Sequence, residues 1–205
     1  MGVIALAYFL HPGARHFLEH LALLKGHLGL LFSFLGTSLA SSLLPELLTP
    51  LLVRPHRTTG PGLLERLLFS IPFWGLIGMQ VDLFYRLQYM LFGPTVGMFT
   101  LVTKVLVDAF LYCPLLAIPQ AVCVILWRDH GYSFRGFAGH RPADFYALKV
   151  FPVLMANWMV WIPVVCVIYS LPPPLGIPLF IIAQSFWVMV FSTMSARRLE
   201  STAGI

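Results

Sequence analysis

The sequence predicts an all-α integral membrane protein, a bundle of about five kinked transmembrane helices. Two observations lead there. Of 205 residues, 59% are hydrophobic and 10% are charged, whereas an average soluble domain carries about 25% charged residues. A soluble chain of this length must present a polar exterior to water and cannot hide so much apolar surface. The apolar residues also come in long blocks of Leu, Val, Ile and Phe, separated by short charged or Pro/Gly-rich stretches. That is the layout of spans and loops, not of alternating strands. Most blocks lack the polar face that a soluble bundle needs on each helix.

About 20 apolar residues, rising 1.5 Å each, cross a hydrocarbon core of roughly 30 Å. Five blocks qualify: 27–53, 63–92, 101–127, 147–169 and 178–196. The stretch 1–10 is apolar but too short to span. It lacks the basic start and small-residue cleavage site of a signal peptide, so it is expected at the interface. The organisation is then an N-terminal interfacial segment 1–26, a transmembrane helical bundle 27–196 and a C-terminal tail 197–205. There is no internal repeat and no low-complexity segment.

Loop charges test the count. With five spans, one face collects Arg54, Arg57, Arg66, Arg128, Arg135, Arg141, Lys149, Arg197 and Arg198. The opposite face holds Arg15 and Lys25, with Lys104 just inside the third block. The positive-inside rule then places the C-terminus in the cytoplasm or its equivalent. Trp127, Tyr169 and Phe92 close their blocks and are expected at headgroup depth, whereas Trp74, Trp158, Trp161 and Trp187 are expected to pack between helices. Pro45, Pro72, Pro114, Pro119, Pro152 and Pro163 lie inside the blocks. Each removes a backbone donor, so neighbouring helices or water must take up the freed carbonyls.

Ionisable groups inside a span cost several kcal/mol and need a reason. The blocks hold Glu46, Asp82, Arg86, Lys104 and Asp108. Asp82 and Arg86 are one helical turn apart, as are Lys104 and Asp108, which puts each acid beside a base on the same face. The second and third blocks are consecutive, so a four-charge network between them is expected, with Tyr85, Gln80 and Gln88 adding hydrogen bonds. Its role is either a lock that fixes helix pairing or a polar lining for a water-filled path. Glu46 is expected to reach an interface or a base. Asn157 and Gln184 read as hydrogen-bonding glue between helices.

Cys113, Cys123 and Cys166 all lie in apolar blocks and read as buried thiols. His11, His16, His20 and His27 with Glu19 form no closed ligand set, so no metal and no cofactor is expected. Phosphate loops, nucleophile elbows, HExxH and paired CxxC motifs are absent from the sequence, which therefore offers no catalytic constellation. Basic runs long enough for nucleic acid are absent as well.

Four stretches carry a resemblance to the Mpv-seventeen and peroxisomal-membrane-protein-twenty-two family. They are Gly93-Pro94-Thr95-Val96-Gly97; Lys104 and Asp108 with Pro114 six residues on; Lys149-Val150-Phe151-Pro152 followed by Asn157-Trp158 and Pro163; and Trp187 with Ser192. The chain departs from the family pattern at Ala109, where the family has Gln, and at Phe151, where it has Trp. The resemblance covers about 120 residues and implies four spans, plus or minus one, in that part. It also implies a channel or pore for small solutes, lined here by Asp82, Arg86, Lys104, Asp108 and Asn157. The competing expectation is a non-conducting scaffold whose charges only bind helices together. Expected partners are the lipid bilayer, a small solute and a second copy of the chain. The expected location is a bacterial cytoplasmic membrane, with an organellar membrane as the alternative.

Overall fold

The computed structural model describes residues 8–52, 62–93, 97–133 and 141–203, with side chains described except at 49–52, 129 and 190–203. Residues 1–7, Arg54, Arg57, 94–96 and Arg135 lie outside the described residues, as do the side chains of Ser192, Arg197 and Arg198. The described chain is helical, with no strand among those residues. Helix α1 is Pro12–Leu28. Helix α2 runs through Leu30–Ser38, a π-helical Leu39–Leu43 and Leu44–Leu52. Helix α3 is Leu63–Phe92. Helix α4 joins Met98–Val107, a π-helical Asp108–Ala117 and Ile118–Asp129. Helix α5 joins Pro142–Phe145, a π-helical Tyr146–Val150 and Phe151–Tyr169. A 3₁₀ turn, Pro173–Leu175, leads into α6, Gly176–Ala203.

Among the described residues, four stretches are long and apolar enough to cross a membrane: Leu30–Leu48, Leu63–Phe92, Met98–Arg128 and Pro142–Tyr169. A shorter apolar stretch, Pro173–Met189, is the fifth. The predicted all-α bundle of about five helices is therefore the architecture observed.

The prolines explain the π-helical stretches. A π turn bonds each N–H to the carbonyl five residues back, and such turns occur where the regular ladder is broken. Leu44, just before Pro45, donates to Leu39; Ile118, just before Pro119, donates to Cys113; and Phe151, just before Pro152, donates to Tyr146. Neighbouring helices take up the carbonyls that the prolines leave. Five residues before Pro114, the Ala109 carbonyl accepts from Trp158 Nε1 at 2.7 Å. Five before Pro119, the Pro114 carbonyl accepts from the Tyr146 hydroxyl at 2.9 Å. In lipid an unsatisfied carbonyl has no water to turn to, so these two side-chain bonds make the broken ladder tolerable.

The chain divides into two compact units, Met1–Pro94 with Leu171–Ile205, and Thr95–Ser170. The first contains α1, α2, α3 and α6. Helices α2 and α3 run antiparallel in close contact, because Gly75 and Gly78 let the backbones approach. A Cβ on Gly78 would meet Thr37 Oγ1 at 2.1 Å and the Ser33 carbonyl at 2.6 Å; one on Gly75 would meet the Phe34 ring at 2.4 Å. Ser38 Oγ donates across the same seam to the Ile71 carbonyl at 2.8 Å. Between apolar helices in lipid there is no hydrophobic drive, so close packing and such hydrogen bonds hold the pair. At Gly29, φ is +59°, a conformation that suits glycine and separates α1 from α2.

The second unit contains α4 and α5. Its core joins Cys113, Ile118, Val150 and Leu154, with Tyr112, Val122, Phe145, Tyr146 and Trp158 packed against them. Trp158 also packs its ring against Phe110 at 4.9 Å between centroids, between the helices as the sequence suggests.

Candidate functional site

In the first unit, Asp82 lies on the α3 face that meets α2 and is 2% exposed. Three donors reach it. Ser33 Oγ donates to Oδ2 at 2.6 Å and Arg86 Nε to Oδ1 at 3.0 Å. Lys25 Nζ, near the end of α1, also donates to Oδ2. It donates to the Gly29 carbonyl at 3.0 Å as well, so it closes the α1–α2 junction onto α3. The expected Asp82–Arg86 pair is present, one turn apart. Lys25 is a partner that loop-charge reasoning placed outside the span; it returns because the break at Gly29 sets α1 beside α3.

The same register sets the depth of these charges. Ser33 is one turn into α2, so Asp82 stands near the end of that span, not at its centre. At the other end of the seam, Arg66 pairs with Glu46 through two bonds, Nε to Oε1 at 3.0 Å and Nη2 to Oε2 at 2.9 Å. Arg66 and Arg86 are about 30 Å apart along α3 at 1.5 Å per residue, which matches the thickness of a hydrocarbon core. Glu46 therefore does reach a base, and the two ion clusters bracket an apolar band.

A line of hydroxyls joins the brackets. Ser33, Thr37, Ser38, Ser41 and Ser42 are all buried along α2. Thr37 Oγ1 donates to the Ser33 carbonyl at 2.6 Å. The hydroxyls of Ser41 and Ser42, in the π-helical stretch, have no hydrogen-bond partner among the described residues. Hydropathy reasoning misses this stripe because small hydroxyls scarcely lower the apolarity of a block; their recurrence every four residues was the available signal.

In the second unit, Asp108 opens the π-helical stretch of α4 and is 6% exposed. The Tyr169 hydroxyl donates to Oδ2 at 2.7 Å, and the Cys113 thiol lies 3.6 Å from Oδ1. Asn157 Nδ2 in turn donates to Cys113 Sγ at 3.6 Å. Asp108 and Asn157, both singled out by sequence, are thus joined through a thiol. Lys104, one turn before Asp108, is itself buried. Tyr169 corrects an expectation: it is 3% exposed and turned inward, because the buried carboxylate gives its hydroxyl a partner that headgroup depth would otherwise supply.

No protein-family model, curated protein or solved structure matches this chain.

The arrangement is one of paired charges and short hydrogen-bond chains. Among the described residues no group of three His, Cys, Asp or Glu is placed to hold a metal. His11 caps α1, accepting from the Ala14 N–H at 3.3 Å, while His16 and His20 are exposed. Cys113 is buried, and Cys123 and Cys166 are half-buried free thiols. Asp82 with Arg86, and Lys104 with Asp108 and Asn157, fall in separate units, each carboxylate with donors of its own.

Proposed function

We propose that this is a multi-pass membrane protein of the Mpv-seventeen type whose intramembrane polar residues lock its helices together, as in a membrane scaffold or assembly protein. One observation carries the reading: Asp82 and Asp108 are each buried against donors from neighbouring helices of their own unit. A carboxylate so engaged resists separation of its helices, since parting them strands a charge in a medium of low polarity. The loop charges favour a C-terminus on the cytoplasmic side of the membrane or its topological equivalent. Proteoliposomes test the lock. Asp82→Asn and Asp108→Asn are expected to weaken folding without creating or abolishing solute flux. A wild-type flux that either substitution changes, in a protein that still folds as before, would overturn it.

A channel or small-solute path is the second reading. It is favoured by the hydroxyl stripe of α2, where buried Ser41 and Ser42 lack partners. Buried polar groups of this kind are commonly met by water. Ser41→Cys and Ser42→Cys would then react with a water-soluble thiol reagent beyond the wild-type background. Protection of both would leave the lock alone.

A further inference from the structure

The cluster on Asp82 is unbalanced, with two cations, Lys25 and Arg86, facing one carboxylate. At the other end of α3, Glu46 takes two nitrogens of Arg66. Arg86 bonds Asp82 through Nε alone, which leaves its two η nitrogens without a partner among the described residues. Its side chain is 51% exposed. The residues around it on the same face of α3, Leu83, Leu87 and Met90, are exposed and apolar. That surface suits lipid, and a guanidinium on it is tolerated only where it reaches the headgroups. The register above puts Arg86 at such a depth, about 30 Å along α3 from Arg66.

We propose that Arg86, supported by Lys25, binds the phosphate of an anionic phospholipid at this face of α3. The chemistry is specific to the arrangement. Asp82 holds the guanidinium by Nε, so the η nitrogens form a fixed fork, and such a fork matches two oxygens of a phosphate. Lys25 adds the charge that Asp82 alone does not cancel. The proposal takes the Asp82 cluster as a lock and adds a ligand to it. Its readout is lipid retention rather than assembly, so the two can fail separately.

The test uses the full chain purified in a neutral detergent and exchanged against phosphatidylglycerol or phosphatidylcholine of identical acyl chains. Bound lipid is counted by native mass spectrometry. Phosphatidylglycerol is expected to be retained in preference to phosphatidylcholine. Arg86→Gln should reduce its retention about tenfold, and Arg86→Lys, which loses the fork but keeps a cation on Asp82, about threefold. Arg66→Gln should retain it as wild type does, and millimolar inorganic phosphate should not displace it. Wild-type retention by Arg86→Gln, or an equal loss in Arg66→Gln, would overturn the site. Displacement by inorganic phosphate would overturn the lipid as its ligand. If Arg86→Gln does not fold, Arg86→Lys decides: a threefold loss supports the site and wild-type retention refutes it.

Discussion

The two buried carboxylates are handled differently by their units. Asp82 meets two cations and a hydroxyl, near the start of α2 and about three turns from the end of α3. Asp108 accepts from a phenol and lies beside a thiol, within a proline-broken stretch of α4. Arg86 is half-exposed on a long stem that can carry its charged end toward the headgroups, so an ion cluster is tolerated at that depth. The Asp108 stretch is built on a different economy of structure. There the prolines free carbonyls, Trp158 and Tyr146 cap them, and the same helix pairing brings Tyr169 and Asn157 to Asp108 and Cys113. One carboxylate is held mainly by charge, the other by hydrogen bonds around a broken helix.

Substitutions can separate these modes. The largest effect is expected at Asp82→Leu, which leaves Lys25 and Arg86 without a counter-charge. Unfolding in mixed micelles should show a loss of about 3–5 kcal/mol. Next is Gly78→Ala, whose new methyl meets a backbone carbonyl that cannot rotate away. A loss of about 2–3 kcal/mol is expected by the same measurement, and a loss below about 0.5 kcal/mol would mean that α2 and α3 do not pack this closely.

Much of this architecture was legible in the sequence. The second span begins and ends where predicted, with Gly62 and Gly93 flanking the helix. Pro45, Pro114, Pro119 and Pro152 announced broken stretches, whereas Pro72 and Pro163 lie within continuous α-helix, and the hydrogen bonds of Trp158 and Tyr146 show how two freed carbonyls are met. Less legible was which charges meet. Asp82 and Arg86 share a face by local periodicity, but Lys25 is 57 residues from Asp82, and only the turn at Gly29 brings it back. Tyr169 looked interfacial because it ends a block; its inward turn depends on a carboxylate on another helix. Ser33, Thr37 and Ser41 recur at helical spacing and were readable in principle, yet a hydropathy pattern does not weigh them.

A smaller loss is expected in the second unit. Tyr169→Phe should cost about 1 kcal/mol, in line with hydrogen bonds between membrane helices. A loss as large as that of Asp82→Leu would erase the contrast between the units. The smallest effect is expected at Arg66→Gln. The Glu46–Arg66 pair is partly exposed, at 27% and 42% of the two side chains, so its loss should cost no more than about 1 kcal/mol.

The most direct measurement is a double-mutant cycle on Lys25 and Asp82. Lys25→Met, Asp82→Leu and the double variant would be unfolded under identical conditions. If the pair locks α1 and α2 onto α3, Asp82→Leu strands Lys25, Lys25→Met leaves Asp82 with Arg86 and Ser33 alone, and the double variant is more stable than the sum of the singles implies. A coupling of about 2 kcal/mol or more is expected. A coupling near zero, with the singles simply adding, would contradict the lock.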